Sequence, residues 1–447
     1  MTRTDRIRVI EKTSSTGWAR LLLSCRHRRT GVSFDSPRLR SCRRFYSILL
    51  GLSRGIGISD GNGGNVKEYG FRIGDVRYDG GRPLIIAEIG TGHGGDEDKA
   101  AELIDAAIGA GAVSVKFQHV YADEIIHPAT GYVPLPGGPV ALYDRFRALE
   151  TGPKFMSRLK ERVESLGAVF LCTPFGPKSA RELRDMGVGV MKIASPELNY
   201  AQLLDELATY GLPTILSSGV SKLADIEGAI ERLSGSPLAL LHCVTAYPAP
   251  EEDYNLRVLG ALSTLFGVPV GVSDHSLDPV LVPALAVASG ACIVEKHFCL
   301  SRDDLGLDDP IALPPGDFRR MVDAIGRISA IAAGPGGSEA AISELAAEFG
   351  VERVEATLGN GRKRLAPSER ANYSRTNRSI HASRPIAMGA TLGYDNLAVL
   401  RTEKVLRPGL DPRYLPLAIG RAAARDVPDG EGLEWADLGD RVPDSGR

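Results

Sequence analysis

Two neighbouring apolar runs of this 447-residue chain each reach a histidine beside charges. "VPVGVSDH" (268–275) closes on Ser273, Asp274 and His275, and "CIVEKHF" (292–298) carries Glu295, Lys296 and His297. Six earlier runs share the habit. "PLIIAEIG" (83–90) carries Glu88, "SVKFQ" (114–118) carries Lys116 and Gln118, and "VFLCTPF" (169–175) carries Thr173. "VMKIAS" (190–195) brings Lys192 and Ser195 with Glu197 just beyond, and "PTILSSG" (213–219) brings Ser217 and Ser218. "LALLHCV" (238–244) brings His242, followed by Thr245 and Tyr247. A buried charge is costly unless paired, so charges on nearly every run point to a site.

The residue types suggest a particular chemistry. Two imidazoles on consecutive strands can meet one divalent ion and leave positions open for water and substrate. Two lysines among Ser and Thr hydroxyls suit a phosphate and a carboxylate, as charge-assisted donors. The inventory is that of an anionic, phosphorylated substrate and a metal-polarised electrophile. Plain structural uses stand beside it. His242 falls mid-strand and suits a hydrogen-bonded packing role, and Lys116 and Lys192 can pair with Glu88 and Glu197.

The elements that must position these residues follow from period. Between the apolar runs lie amphipathic stretches such as "KAAELIDAAIGAG" (99–111), "ADIEGAIERL" (224–233) and "PVLVPALAVASG" (279–290), with apolar residues at helical spacing. Strand and helix alternate eight times, which predicts an α/β fold, a (β/α)8 TIM barrel, with the active site at the C-terminal ends of the strands. An open doubly wound sheet is the weaker alternative, and no G-x-G-x-x-G follows the first strand. After the barrel, "RSIHASRPIAMGATLGYDNLAVLR" (378–401) and "LAIGRAAARDVPDGEGLEWADL" (417–438) read as short strands and turns of a small β-rich module. The expected division is an Arg-rich extension over 1–65, a barrel over 66–335, a linker over 336–376 and the β-rich module over 377–440.

Bulk properties narrow the class. The chain is 43% hydrophobic and 24% charged, with a net charge of −2, as expected of a soluble globular protein. No run approaches the length of a transmembrane helix. Residues 1–55 hold twelve Arg and Lys12 against Asp5, Glu11 and Asp35. That basic tail lacks helical or strand period and reads as a disordered or artefactual extension; a targeting segment and a nucleic-acid arm are the weaker readings. The six cysteines form no C-x-x-C, so reduced thiols and a cytoplasmic location are expected.

Taken together, "IIAEIGTGHGG", "SVKFQ", "FLCTPF", "VMKIASPELN", "TILSSGVS", "LLHCVTAYPAP", "VGVSDHSLDP" and "VEKHF" resemble, in order from Pro83 to Ile325, the N-acetylneuraminate (sialic acid) synthase family. "NRSIHASRPIAMGATLGYDNLAVL" resembles that family's antifreeze-like (SAF) domain. The resemblance implies condensation of phosphoenolpyruvate (PEP) with an N-acetylmannosamine-type hexose to give a nonulosonic acid and phosphate. It implies a divalent metal, manganese with magnesium as the alternative, held by His275 and His297. Glu88 then matches an acid/base, and Lys116, Thr173, Lys192, Ser195, Ser217 and Ser273 match PEP-contacting positions. Gln118, Glu197, Tyr247 and Asp308 match positions near the sugar. A SAF arginine, Arg407 by its "RPG" context or Arg401 by spacing, is expected over the acetamido group from the partner of a domain-swapped homodimer.

The chain departs from the family's pattern at Gly92-His93, at Thr245 and in the loop "ATGYVPLPGGPVALYDRF" (129–146). A di-N-acetylated hexose, as in legionaminic or pseudaminic acid synthesis, is therefore the alternative acceptor. Two other classes remain open on residues alone: a lyase using Lys116 or Lys192 as a Schiff base, and a non-catalytic sugar-binding barrel. Neither a nucleic acid nor a membrane is an expected partner.

Overall fold

The computed structural model describes residues 70–442, apart from 136, 137 and 305. The extension over 1–65, with Cys25 and Cys42, lies outside the described residues. Eight parallel strands carry the eight apolar runs: β1 (Leu84–Gly90), β2 (Ser114–His119), β3 (Val169–Pro174), β4 (Met191–Ile193), β5 (Thr214–Ser217), β6 (Leu238–Cys243), β7 (Val270–Asp274) and β8 (Ile293–His297). The hydrogen-bonded order is β3-β2-β1-β8-β7-β6-β5-β4. β3 and β4 lie side by side and bring the sheet round on itself, though no ladder joins them. β8 pairs with β1, His297 opposite Glu88, so the last strand returns to the first. This is the expected TIM barrel.

A helix follows each strand: α1 (Glu97–Gly109), α2 (Pro153–Ser165), α3 (Pro177–Asp185), α4 (Ala201–Ala208), α5 (Leu223–Arg232), α6 (Val258–Phe266), α7 (Leu281–Ala288) and α8 (Pro315–Ala332). α1 shows the local logic. The Asp96 side chain accepts the Lys99 N–H at its start, Glu97 and Asp98 favour the positive end of the helix dipole, and Ala100, Leu103, Ile104 and Ala107 form the buried face.

Strand parity divides the core in two. Along β1, Ile85, Ala87 and Ile89 pack with the helices, whereas Leu84 and Ile86 pack inside the barrel with Ile215, Leu241 and Ile293. An antiparallel hairpin, Phe71–Ile73 with Val76–Tyr78, joins Phe71 and Tyr78 to that inner cluster. The inner apolar layer occupies the N-terminal half, which leaves the polar residues of each run to the C-terminal half.

The linker differs from expectation. Two further helices, α9 (Gly337–Phe349) and α10 (Val351–Leu358), fill its first half, because Ala341, Leu345, Val354 and Leu358 have a core to join. Every residue of α7 is buried, since α8, α9 and α10 pack against it; a helix apolar on all sides needs such cover. Beyond 377 the β-rich module, expected to be a SAF module, builds two antiparallel pairs, β9 (Arg378–Ala382) with β10 (Leu397–Arg401) and β11 (Arg421–Ala423) with β12 (Leu438–Arg441). Among the described residues no helix is long and apolar enough to cross a membrane, and Cys172, Cys243, Cys292 and Cys299 are free and buried.

Three buried histidines give the fold an acid limit. His93 packs between Phe117 and Phe155, His242 donates Nε2–H to the Tyr254 carbonyl at 2.6 Å, and His381 bonds the Gly430 carbonyl through Nδ1 at 2.8 Å. Burial lowers their pKa values to about 4, about 3 and about 4. Below the ordinary value of 6.5 the unfolded chain binds protons that the folded chain refuses. Stability is therefore lost as pH falls from 6.5 toward 4, by up to about 1.4 kcal/mol per pH unit for each histidine. Urea titrations at pH 7, 6 and 5 should show this slope, and His242→Gln should flatten it.

Candidate functional site

A cavity of about 350 Å³ opens at the C-terminal ends of the strands. Parity decides what enters it. In β8 the inward positions are Ile293, Glu295 and His297, while Val294 packs with the helices. In β6, Leu241 and Cys243 face in and His242 faces out, which explains its packing role. Asp274 and Lys296 also face out and pair with each other while completely buried. Asp274 accepts further from the Ser276 N–H and hydroxyl, so its side chain does not reach the His275 ring. Gly271 occupies an inward position of β7, and a Cβ there would lie 2.4 Å from the Ile293 carbonyl oxygen.

Four buried charges form the floor. Lys116 Nζ donates to Glu295 Oε1 at 3.0 Å and lies 3.3 Å from Glu88 Oε2. Lys192 Nζ lies 3.6 Å from the same Glu295 oxygen and donates to Ser217 Oγ at 2.7 Å. Ser273 Oγ donates to Glu295 Oε1 at 3.0 Å, and the Gln118 amide donates to Glu88 Oε1 at 2.8 Å. The lysines are thus paired, with Glu88 and Glu295 rather than with Glu197.

The environments push these groups apart. Burial raises Glu88 to about 7, against the lowering pull of Lys116, with the Glu295 charge adding to the rise. Burial opposes ionisation of Glu295 too, but Lys116 and Lys192 outweigh it and hold that carboxylate low. Burial lowers Lys192 to about 8, whereas Lys116, which burial alone would lower, is raised by its two carboxylates. One acid is kept ionised and the other is poised near neutrality, which is the division of labour that acid–base chemistry needs.

His275 and His297 stand beside this floor with ring centres 5.4 Å apart. His275 Nδ1 is 2.8 Å from the Val244 carbonyl oxygen, which directs that nitrogen's proton to the backbone and turns Nε2 to the cavity. Tyr247 stacks on His275 at 4.3 Å, and Asp308 Oδ2 lies 3.7 Å from His297 Nδ1. Burial, with the His275 charge next, keeps His297 well below its ordinary pKa, whereas at His275 burial is outweighed by Cys243, which raises it to about 8, so a metal ion would have to displace that proton. Among the described residues no group of three or more His, Cys, Asp or Glu has metal-holding geometry. The donor set fits a divalent ion through two imidazoles, with water or substrate completing the shell.

The remaining expected positions separate. Ser195 and Gln118 line the cavity. Thr173 is buried at the end of β3, two residues after inward Leu171, with its Oγ1 lacking a hydrogen-bond partner. Glu197 is completely buried and is taken up by two arginines of the SAF module: Arg378 Nη2 at 2.9 Å and Arg401 Nη2 at 2.7 Å from Oε1. Arg401, at the end of β10, lines the cavity and lies over the Phe175 ring. Arg407 does not reach the cavity. It is held inside the module by the Gly432 carbonyl, Glu434 and Asp437, because the residues between Arg401 and Arg407 carry the chain away past Thr130 and Gly131. In this chain the arginine set by spacing after "DNL" lines the cavity, and the one in "RPG" does not. Within this chain the module's own arginine reaches the barrel.

In the sequence Glu295 stands among the strand-end charges without a role, and Arg378 is not singled out. Glu295 was recoverable from period, two residues after inward Ile293 and two before His297. Arg378 carried no such signal, since its partners are the Phe175 carbonyl just after β3, Glu197 and the segment after β2. Phe146 and Leu307 also line the cavity, and Phe146 comes from the helix Leu142–Arg147 that follows a hairpin in the departing loop.

A profile of the NeuB family matches residues 103–336, and a profile of the SAF domain matches residues 377–439. The chain is similar to the spore coat polysaccharide biosynthesis protein SpsE of Bacillus subtilis, 34% identical over 361 residues, which span 79% of this chain and 93% of that one. The SpsE crystal structure superposes with a TM-score of 0.67 at 32% identity, covering 83% of this chain and 99% of SpsE. N,N'-diacetyllegionaminic acid synthase of Legionella pneumophila is 30% identical over 79% of this chain and 93% of its own length. The crystal structure of an N-acetylneuraminic acid (sialic acid) synthetase from Leptospira borgpetersenii, in complex with citrate, gives a TM-score of 0.56 at 34% identity, over 63% of this chain and 98% of that one.

The two arginines make different demands. Glu197→Gln leaves Arg378 and Arg401 buried against a neutral amide, and the expected loss is about 3–5 kcal/mol. Arg407→Ala removes partly exposed contacts with the Gly432 carbonyl, Glu434 and Asp437 and should cost less than Glu197→Gln. Denaturant midpoints of the two variants check the order.

Proposed function

The chain belongs to the NeuB family, and on that premise we propose that it condenses PEP with an N-acetylmannosamine-type hexose to give a nonulosonic acid and phosphate. The observation that carries the reading is the juxtaposition of two lysines, two glutamates and two histidines in one cavity. Lys116 and Lys192, with Ser195, Ser217 and Ser273 close by, form a cationic, hydroxyl-lined end suited to the carboxylate and phosphate of PEP. The opposite side, with Tyr247, Asp308 and Arg401, takes the sugar. Thr173, whose buried Oγ1 has no partner, is kept as a PEP position, and Glu197 acts on the sugar only through Arg401.

The roles follow from chemistry and placement. The site holds C3 of PEP against the aldehyde carbon, so that proximity replaces a bimolecular encounter. As the new C–C bond forms, Glu88 delivers its proton to the aldehyde oxygen. Water then adds at C2 and gives one proton back to Glu88, and phosphate leaves with its bridging oxygen and the second proton as the C2 carbonyl forms, giving the 2-keto acid. Lys116 and Lys192 neutralise the leaving phosphate. A divalent ion on His275 and His297, manganese in this reading with magnesium as the alternative, supplies Lewis-acid polarisation of the aldehyde when bound.

A second acceptor is favoured by one observation. Phe146, Phe175 and Leu307 give the cavity an apolar stretch of wall, which suits the extra methyl groups of a di-N-acetylated hexose. The family reading also carries a domain-swapped homodimer, in which the Arg401–Glu197 contact is made between two chains. A solution mass of twice 47.7 kDa is then expected.

Phosphate release from PEP, measured with N-acetylmannosamine and with di-acetamido hexoses, plus and minus manganese, tests the function; no release with any hexose sinks it. Borohydride with pyruvate should trap no adduct, since Lys192, the lysine nearest neutrality, acts as a cation and not as a nucleophile. His275→Ala and His297→Ala should each weaken manganese binding by calorimetry and turnover together.

The pH profile gives a separate check. Glu88 acts protonated, so kcat/KM falls as pH rises through about 7. The Gln118 hydrogen bond favours the carboxylate, so Gln118→Ala should move that limb to higher pH.

A further inference from the structure

The connector between barrel and SAF module spends three side chains on one short loop. Residues 218–221 follow β5. Lys363 Nζ donates to the Ser218 carbonyl at 3.1 Å, Glu369 Oε1 accepts the Val220 N–H at 2.7 Å, and Asn377 Nδ2 donates to the Val220 carbonyl at 3.1 Å. The same Glu369 oxygen accepts the Thr245 N–H at 2.7 Å, from the loop after β6. Its other oxygen accepts the Ala366 N–H at 3.2 Å. Glu369 is 1% exposed, far along the chain from both loops it joins.

The backbone here needs such a hold. Val220 has φ 40° and is completely buried. A β-branched residue in the left-handed region persists only where its surroundings over-determine it. The loops also approach very closely: a Cβ on Gly219 would lie 2.0 Å from Thr245 Oγ1 and 2.9 Å from Ser195 Oγ. What the bent loop presents is chemical. Ser217 precedes it and receives Lys192, and the Gly219 N–H donates to Ser195 Oγ at 2.9 Å. Ser195, Ser217 and Thr245 all line the cavity.

We propose that Glu369 is a positioning residue for the phosphate-binding end of the cavity, fixing the loops after β5 and β6 on one carboxylate oxygen. Through Asn377, which directly precedes β9, the same loop is tied to the seating of the SAF module. The inference rests on the assignment of PEP to Lys192, Ser195 and Ser217. It adds a residue outside the barrel strands on which PEP affinity depends, and which touches no substrate itself.

Three variants test it. Glu369→Ala removes both acceptors, Glu369→Asp draws the carboxylate back by one methylene, and Glu369→Gln keeps an oxygen for the two N–H groups. Steady-state kinetics should show the KM for PEP raised about tenfold in Glu369→Ala, as expected for lost hydrogen bonds to a charged group. The KM for the hexose should move far less, Glu369→Gln should return close to the parent, and Glu369→Asp should fall between. A Glu369→Ala protein with lowered thermal stability and the parent's KM for PEP overturns the proposal. If Glu369→Ala yields no folded protein, an unchanged KM for PEP in Glu369→Asp overturns it equally. Failure of the parent protein to consume PEP appears before any variant is made and removes the functional reading itself.

Discussion

Glu295 is the charge on which the site depends. Two buried lysine ammonium groups sit in the C-terminal half of a barrel whose inner layer below them is Leu84, Ile86, Ile215, Leu241 and Ile293. Without a counter-charge, burial would drive both toward the neutral amine. Glu295 Oε1 meets Lys116, Lys192 and Ser273 at once, and its ionisation is held by those same cations. The arrangement is balanced, so an anionic substrate must compete with a carboxylate already in place. Competition of that kind favours a ligand with more than one anionic group, since it can engage Lys116 and Lys192 together while Glu295 remains.

Parity extends the same economy of placement to the outer layer. The residues between the inward ones are also polar at β6, β7 and β8, and each finds a partner on the helix side. His242 bonds the Tyr254 backbone, Asp274 and Lys296 form their own pair, and the Tyr254 hydroxyl accepts the His275 N–H at 2.6 Å. These groups hold the strand ends that deliver His275 and His297. A ligand pair for one ion requires that two strands end at the same height, and the buried Asp274–Lys296 bond joins those two strands directly.

Much of this was legible before any coordinates. Eight short apolar runs alternating with amphipathic stretches point to the barrel, because strands buried on both faces read as continuous apolar stretches. Period 2 then separates Glu295 and His297 from Lys296 by counting alone. What stayed hidden depends on chain segments far apart in sequence. Glu197 looked like a site-lining acid, yet two arginines from a later module occupy it. Arg401 and Arg407 both sit in plausible contexts, and only the path between them, past Thr130 and Gly131, decides which one reaches the cavity. The helices α9 and α10 lie in the segment expected as linker, and their apolar residues cover α7.

The division between rigid and irregular elements bears on selectivity. The groups assigned to bond making and phosphate departure sit on or directly beside β1, β2, β4, β5, β7 and β8, where neighbouring ladders fix them to fractions of an ångström. The groups facing the remaining space come from elsewhere: Phe146 from a helix after a hairpin, Leu307 and Asp308 from the segment after β8, and Arg401 from the SAF module. Such segments tolerate change without disturbing the barrel. The departures from the family pattern at 129–146 therefore fall where they can alter the acceptor and leave the PEP end as it is. On the proposed reading, a change of acceptor calls for new residues around Phe146 and Leu307, and Lys192 and Glu295 stay as they are.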